Sequence, residues 1–279
     1  VMPDARDWSR EDTARFLRVP GADDDKYSRG VVGLRTGSSA YPGAAVLGVE
    51  AAWRAGAGFV RYVGDGRAAD AVIARRPETV VSPSIAGARV GAWVIGSGTD
   101  AASRSPETER ELRDLLDGQV PVVVDAGALD LARGSRAPRV LTPHGREFER
   151  LQDQLGYGTR DDRADAVARV AHDLGAVVLL KGAQTLIADP DGFLIRVEAG
   201  TGWLATAGTG DVLGGVLGAL LAANADAPLA EVAAAAAWLH GHAGVLAAGT
   251  GADGRATGHP TVALDVAEAL PRAFSDVVA

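Results

Sequence analysis

The chain has 279 residues, 47% of them apolar and 5% aromatic, with a formal net charge of −8 and a pI of about 5.2. That is enough chain for one large α/β domain with a full core, and the acidic balance excludes the basic footprint of a nucleic-acid-binding protein. The absence of cysteine excludes a disulfide scaffold, a thiolate metal site and a cysteine nucleophile, and it fits a cytoplasmic protein.

Residues 1–26 are polar and charged and read as an N-terminal arm with one short helix around Arg10–Leu17; no apolar signal core accompanies them. Residues 27–279 read as one domain, because no repeat, low-complexity linker or charge run divides them. From residue 31 short apolar runs alternate with Ala-rich helical stretches. The expected strands are Val31–Leu34, Gly58–Val63, Thr79–Val81, Ala92–Ile95, Val120–Val124, Val140–Leu141, Val177–Leu180, Thr185–Ala188 and Leu194–Val197. The expected helices are Gly43–Ala55, Gly66–Arg75, Pro106–Asp117, Ala128–Ala132, Gly145–Leu155, Asp161–Leu174, Asp211–Ala225, Pro228–Ala248 and Val262–Phe274. Strands written as continuous apolar runs between helices imply a mainly parallel sheet covered on both faces. Asp189-Pro190-Asp191-Gly192 is a strong turn, so one antiparallel hairpin is expected within it. The uncharged run Val212–Ala225 is too short to span a bilayer, so no membrane partner is expected.

In such sheets ligands gather at the carboxyl ends of the strands. Five strands here run into polar or glycine turns: Gly37–Ala45, Gly96-Ser97-Gly98, Asp125-Ala126-Gly127, Thr142–Glu147 and Lys181–Thr185. The most informative stretch is Thr206-Ala207-Gly208-Thr209-Gly210-Asp211, which opens directly into an apolar helix. A small-residue loop entering a helix presents unpaired N–H groups and partial positive charge, so Gly208, Thr209 and Gly210 read as an anion hole. Asp211 inside it is placed to take a proton from a hydroxyl attacking phosphorus; the competing reading makes it only the helix cap. Of the 28 basic residues only Lys26 and Lys181 are lysine, which favours a phosphate or nucleotide contact for Lys181 over a mere strand end. His144 follows Thr142-Pro143 and precedes a helix carrying Glu147, so it faces a ligand or caps that helix. Asp125 is open between a cap and a magnesium or phosphate network. His240 and His242 lie two apart on an expected helix and share no face, so they read as packed or surface histidines, and no metal-binding residues are assigned. No Walker loop is present, and Gly208-x-Gly210-x-x-x-Gly214 has the wrong spacing for a dinucleotide fingerprint.

In the order in which they occur, Tyr41-Pro42-Gly43-Ala44-Ala45, Gly96-Ser97-Gly98, Val124-Asp125-Ala126, Leu141-Thr142-Pro143-His144, Leu180-Lys181-Gly182-Ala183-Gln184-Thr185, Ala205–Leu213 and Leu270-Pro271-Arg272 resemble the ADP-dependent NAD(P)H-hydrate dehydratases of the ribokinase-like superfamily. The resemblance covers about residues 27–275. It implies a ribokinase-like three-layer α/β/α sandwich with a mostly parallel central sheet. It also implies repair of NADHX or NADPHX, the hydrates with water added across the nicotinamide C5–C6 bond, by ADP-dependent phosphorylation of the hydroxyl and loss of phosphate. On that resemblance Ala44, Gly98, His144 and Asp211 contact the hydrate, and Asp211 is the base. Lys181, Gly182, Ala183, Gln184, Thr185 and Gly210 contact ADP or AMP. Mg2+, a homotetramer and a separate NAD(P)HX epimerase are further expectations, the last because 279 residues are too few for a fused epimerase domain.

Three places depart from the family pattern: Asp25-Lys26-Tyr27 stands for His-Lys-Gly, Gly96-Ser97-Gly98-Thr99-Asp100 for Gly-Pro-Gly-Leu-Gly, and Ala207 for a glycine. Two other readings use the same Asp211 loop. One is an ATP-dependent ribokinase-like kinase of a vitamin-type alcohol, against which the Thr142–Glu147 element argues. The other is a non-catalytic nucleotide-binding regulator, against which the retained Asp211 argues.

Overall fold

The computed structural model describes residues 5–157, 162–251 and 257–279. Its strands are β1 (Arg6–Asp7), β2 (Val31–Arg35), β3 (Phe59–Val63), β4 (Val80–Ser82), β5 (Ala92–Ile95), β6 (Val122–Val124), β7 (Arg139–Leu141), β8 (Val177–Leu180), β9 (Thr185–Ala188) and β10 (Leu194–Val197). The helices are α1 (Arg10–Ala14), α2 (Pro42–Arg54), α3 (Gly66–Arg75), α4 (Pro106–Leu116), α5 (Gly145–Leu155), α6 (Arg163–Leu174), α7 (Thr209–Ala223), α8 (Leu229–Ala248) and α9 (Ala263–Val278). One sheet runs in the order β1-β10-β9-β8-β7-β6-β5-β2-β3-β4. β2 to β8 pair in parallel, and β8-β9-β10 form an antiparallel meander.

Side-chain alternation along the strands builds two cores. Val32, Leu34, Val60, Tyr62, Val94, Val123, Leu179 and Ile187 pack beneath α2, α7, α8 and α9. Their neighbours Val63, Trp93, Ile95, Val124, Leu141, Val178 and Leu180 pack beneath α4, α5 and α6. The three-layer architecture and mostly parallel sheet expected from the sequence are therefore present.

The helix ends follow local chemistry. Ser105 accepts from Thr108 N and Pro106 opens α4, Asp162 caps α6, and Gly156, Gly175 and Gly249 close α5, α6 and α8 in the left-handed conformation. α7 is deeply buried, with every residue from Val212 to Leu221 inside. Its glycines cost helix propensity but permit contact: a Cβ at Gly215 would run into the carbonyl of Gly48 on α2.

Four expectations need correction. The helix expected at Ala128–Ala132 is a 3-10 helix, Ala126–Leu131. The hairpin is one half of a three-stranded meander, since β9 also runs antiparallel to β8. α7 starts at Thr209, two residues before the expected start. The polar N-terminal segment is docked: β1 pairs with β10, and Trp8, Phe16 and Leu17 are buried. A two-residue strand carries no periodicity from which it could be read. Asp161, the expected start of α6, lies outside the described residues, as do residues 1–4 of the arm.

Candidate active site

The carboxyl ends of β5, β6, β7 and β8 converge on Asp125. Its carboxylate accepts from Ser97 Oγ at 3.0 Å, from Thr142 Oγ1 at 2.9 Å and from Lys181 Nζ at 2.9 Å. Asp125 is buried, and although it precedes the 3-10 helix it makes no capping bond. The cap reading is thus replaced by a buried ion pair with two hydroxyl donors. Ala126, directly after it, is the only non-glycine with positive φ among the described residues, at 42°, a strained turn that fixes where the carboxylate points. Burial alone would pull the Lys181 ammonium down, but the charges of Asp125, Glu147 and Asp211 outweigh it and hold the group above its usual range. Lys181 Nζ also lies 4.0 Å from Glu147 Oε2.

α7 ends on this cluster. Its cap is Gly208, left-handed at φ 92°, and no side chain caps the helix. Asp211 is therefore not the cap; it is the third helical residue, and its carboxyl makes no hydrogen bond or ion pair among the described residues. Burial, reinforced by the charge of Asp125 and opposed by Lys181, pushes Asp211 up to about 6. Of the expected anion hole, Thr209 spends its N–H on Thr206 O at 3.4 Å. The N–H groups of Gly210 and Asp211 make no hydrogen bond among the described residues. Lys181 Nζ would lie 3.4 Å from a Cβ at Gly210, so the ammonium adjoins the free amides.

Two cavities flank the cluster. The first, of about 360 Å3, is lined by Lys181, Gly182, Ala183, Thr185, Thr209 and Gly210 on one side and by the 199–205 loop and α8 on the other. The second, of about 510 Å3, is lined by Tyr41, the turn Gly98–Ala101, the turn after Asp125, and Glu147, Arg150 and Gln154 of α5. Lys181 stands in the first wall and Glu147 in the second. Of the expected site residues, Ala44, His144, Gln184, Gly208 and Asp211 line neither cavity. Ala44 instead backs Gly98, whose absent Cβ would collide with it. His144 caps α5: its ring Nδ1 accepts from Glu147 N at 3.4 Å while its backbone N–H donates to Glu147 Oε2 at 2.8 Å. Its side chain stays 52% exposed, so capping leaves the ring accessible.

The departures from the family pattern have definite places. Ser97 supplies one of the bonds to Asp125. Asp100 accepts from Ala102 N, and Ala207 is exposed. Lys26, the second lysine, lies over the Tyr27 and Phe59 rings at 5.1 and 5.7 Å, at the amino end of β3. Sequence reasoning held Asp125 open between a cap and a magnesium or phosphate network, gave Glu147 no role of its own, and placed His240 among packed or surface residues, where it in fact lines the first cavity. His242 stacks on Trp238 and meets Asp276 at 3.1 Å, so the two histidines do diverge.

Among the described residues no three His, Asp or Glu side chains converge as metal ligands. The carboxylate best placed for a divalent ion, Asp125, is already bound to Lys181. These residues do not fit a resident metal; an Mg2+ ion here would be held chiefly by phosphate oxygens.

A doubly covered parallel sheet with a helix N-terminus and an acid aligned at its carboxyl edge is the arrangement of the ribokinase-like class, to which a similar solved structure from Enterococcus faecalis also belongs. Within it the chain is a member of the NAD(P)H-hydrate dehydratase family, whose family model matches residues 32–259. It is 47% identical over 241 residues to the bifunctional NAD(P)H-hydrate repair enzyme of Mycobacterium tuberculosis, covering 83% of this chain and 48% of that protein. It is 38% identical to the ADP-dependent (S)-NAD(P)H-hydrate dehydratase of Neisseria meningitidis serogroup B, covering 81% and 80%. The ADP/ATP-dependent NAD(P)H-hydrate dehydratase of Bacillus subtilis, co-crystallised with ATP/Mg2+, superposes with a TM-score of 0.83 at 27% identity, covering 98% and 99%. The chain spans about half the length of the first curated relatives it matches. No helix among the described residues is long and apolar enough to cross a membrane.

Proposed function

We propose that this chain dehydrates the S form of NADHX and NADPHX to NADH and NADPH, consuming ADP and releasing AMP and phosphate. The observation that carries the proposal is the bridge between the cavities, Lys181 in one wall and Glu147 in the other, beside an acid held near neutrality. Two ligands entering from opposite sides would meet at Lys181 and Asp211.

In this reading the nucleoside of ADP occupies the 360 Å3 cavity. Its phosphates reach the free amides of Gly210 and Asp211 and the Lys181 ammonium, which neutralise charge as it builds up in transfer. The hydrated nicotinamide enters from the 510 Å3 cavity past Gly98 and His144. Its C6 hydroxyl oxygen attacks the β-phosphorus, the bond from that phosphorus to AMP breaks, and the hydroxyl proton passes to Asp211. A carboxyl held at about 6 is ionised at neutral pH and more basic than an exposed one, which suits it to that task. The C6–O bond then breaks with its electron pair leaving on phosphate, and C5 gives up a proton as the double bond re-forms. Mg2+ would supply charge neutralisation on the phosphate chain. Asp125 orients Lys181, and Ser97 and Thr142 hold Asp125.

The same reading includes a homotetramer, a cytoplasmic location, and an NAD(P)HX epimerase that supplies the S form. It is tested by recovery of NADH absorbance from NADHX with ADP and Mg2+. An enzyme that instead leaves a stable phosphoester of a small alcohol, with no recovered absorbance, would refute it.

A further inference from the structure

The wall of the 360 Å3 cavity carries five polar side chains: Lys181, Thr185, Thr201, Thr209 and His240. The first four each make a hydrogen bond within the protein. Lys181 donates to Asp125, Thr185 Oγ1 to Gly182 O, and Thr209 Oγ1 to the carbonyls of Leu204 and Thr206, while Thr201 Oγ1 accepts from Trp203 N. His240 is 8% exposed, and its Nε2 is buried with no hydrogen-bond partner among the described residues. As the ring stands, neither water nor a ligand atom reaches that nitrogen, so a hydrogen bond to it requires the ring to turn toward the cavity. An unpaired polar atom in such a place carries the desolvation cost of the group with nothing in return from the protein. The remaining walls are apolar or glycine: Val197, Ala199, Leu204, Leu213, Ala237 and Gly241. An apolar side chain at residue 240 would pack there without that cost.

We propose that His240 reads the nucleoside of the adenine nucleotide, its ring turning to offer base or ribose the hydrogen bond that its buried Nε2 lacks. The inference rests on the reading of this cavity as the ADP site. The division of labour follows from charge. The phosphates have the free amides of α7 and the Lys181 ammonium. Burial, helped by the positive charge of Lys181 and opposed by the nearby Thr209 backbone, pushes His240 down to about 4, so its ring is neutral. A neutral imidazole matches a neutral hydroxyl or ring nitrogen, not a phosphate. It also sits on α8, so that helix takes part in recognition although it carries none of the phosphate-binding loops.

The test is calorimetric titration of AMP, ADP and pyrophosphate into the wild type, His240→Leu and His240→Gln, with melting temperatures measured without ligand. His240→Leu should weaken AMP and ADP alike by about five- to tenfold, the order of one lost neutral hydrogen bond, leave pyrophosphate binding within about twofold, and not lower the melting temperature. His240→Gln, which keeps a donor and an acceptor near the Nε2 position, should recover most of the loss. If leucine prevents folding, His240→Ala gives the same comparison without added volume. Unchanged AMP binding in a folded leucine or alanine variant would overturn the inference, as would an equal loss for AMP and pyrophosphate. Failure of the wild type to bind AMP would instead overturn the assignment of the cavity.

Discussion

Asp211→Asn is expected to yield a more stable protein that does not turn over. The carboxyl is held at about 6 against an ordinary value of 3.8, so the folded state binds its proton more tightly than the unfolded chain does. Stability contributed by this group is therefore present below pH 3.8 and is lost as pH rises through 6. At about 1.4 kcal/mol per pH unit, ionising Asp211 in the fold costs about 3 kcal/mol at neutral pH. The amide is neutral at every pH and does not bear that cost. Asp211→Asn should gain up to about 3 kcal/mol at pH 7.5, a rise of up to roughly 5 °C in melting temperature, and the gain should shrink to nearly nothing by pH 4. Because no capping bond depends on the carboxyl, nothing structural is lost. The rate should fall by about 10²–10⁴, the usual loss with a general base, while ADP affinity stays within a few-fold. Urea denaturation at pH 7.5 and pH 4, with turnover measured on the same preparation, checks both halves. An unchanged or lowered stability at pH 7.5 would refute the burial argument, and near-normal turnover would refute the base.

The strands were legible because each buried strand is a run of apolar residues between helical stretches, and the turns that follow them already read as a ligand edge. What escaped reading was decided by contacts distant in sequence. Val124-Asp125-Ala126 has the same letters whether Asp125 caps the next helix or pairs with a cation; only Lys181, 56 residues away, settles it. His144 and Glu147 stand three apart, a spacing that suits a capping box, and the exposure that leaves the ring free is a property of the assembled edge. His240 looked like a packed helix residue, and it is one. Its significance lies in which cavity α8 walls, which the helix pattern does not encode. The start of α7 was misplaced by two residues for a related reason. The helix starts where Gly208 turns left-handed, and small residues mark such a start only loosely.

Lys181→Ala should raise the KM for ADP more than that for the hydrate, and Thr185→Ala should do so to a smaller degree, as checked by steady-state kinetics. Lys181→Ala should also destabilise the protein by about 3 kcal/mol, since it leaves Asp125 buried without its cation. His144→Ala should cost about 0.5–1 kcal/mol for the lost cap and raise the hydrate KM several-fold with ADP binding unchanged; an unaltered hydrate KM would leave only the cap. The remaining prediction concerns Glu50, whose side chain is fully buried in α2 and is bonded by Arg54, Arg75 and Arg76. Burial alone would raise this carboxyl, but the three guanidinium groups outweigh it and hold it at about 2 against an ordinary 4.5. The folded state thus releases the proton more readily than the unfolded chain does. Its stabilisation is complete above pH 4.5 and is lost as pH falls towards 2. Glu50→Gln should therefore destabilise by about 3 kcal/mol at pH 7, with the difference from wild type narrowing steadily between pH 4.5 and 2. If the difference were the same at pH 3 as at pH 7, the loss would come from packing of the amide and not from the guanidinium cluster.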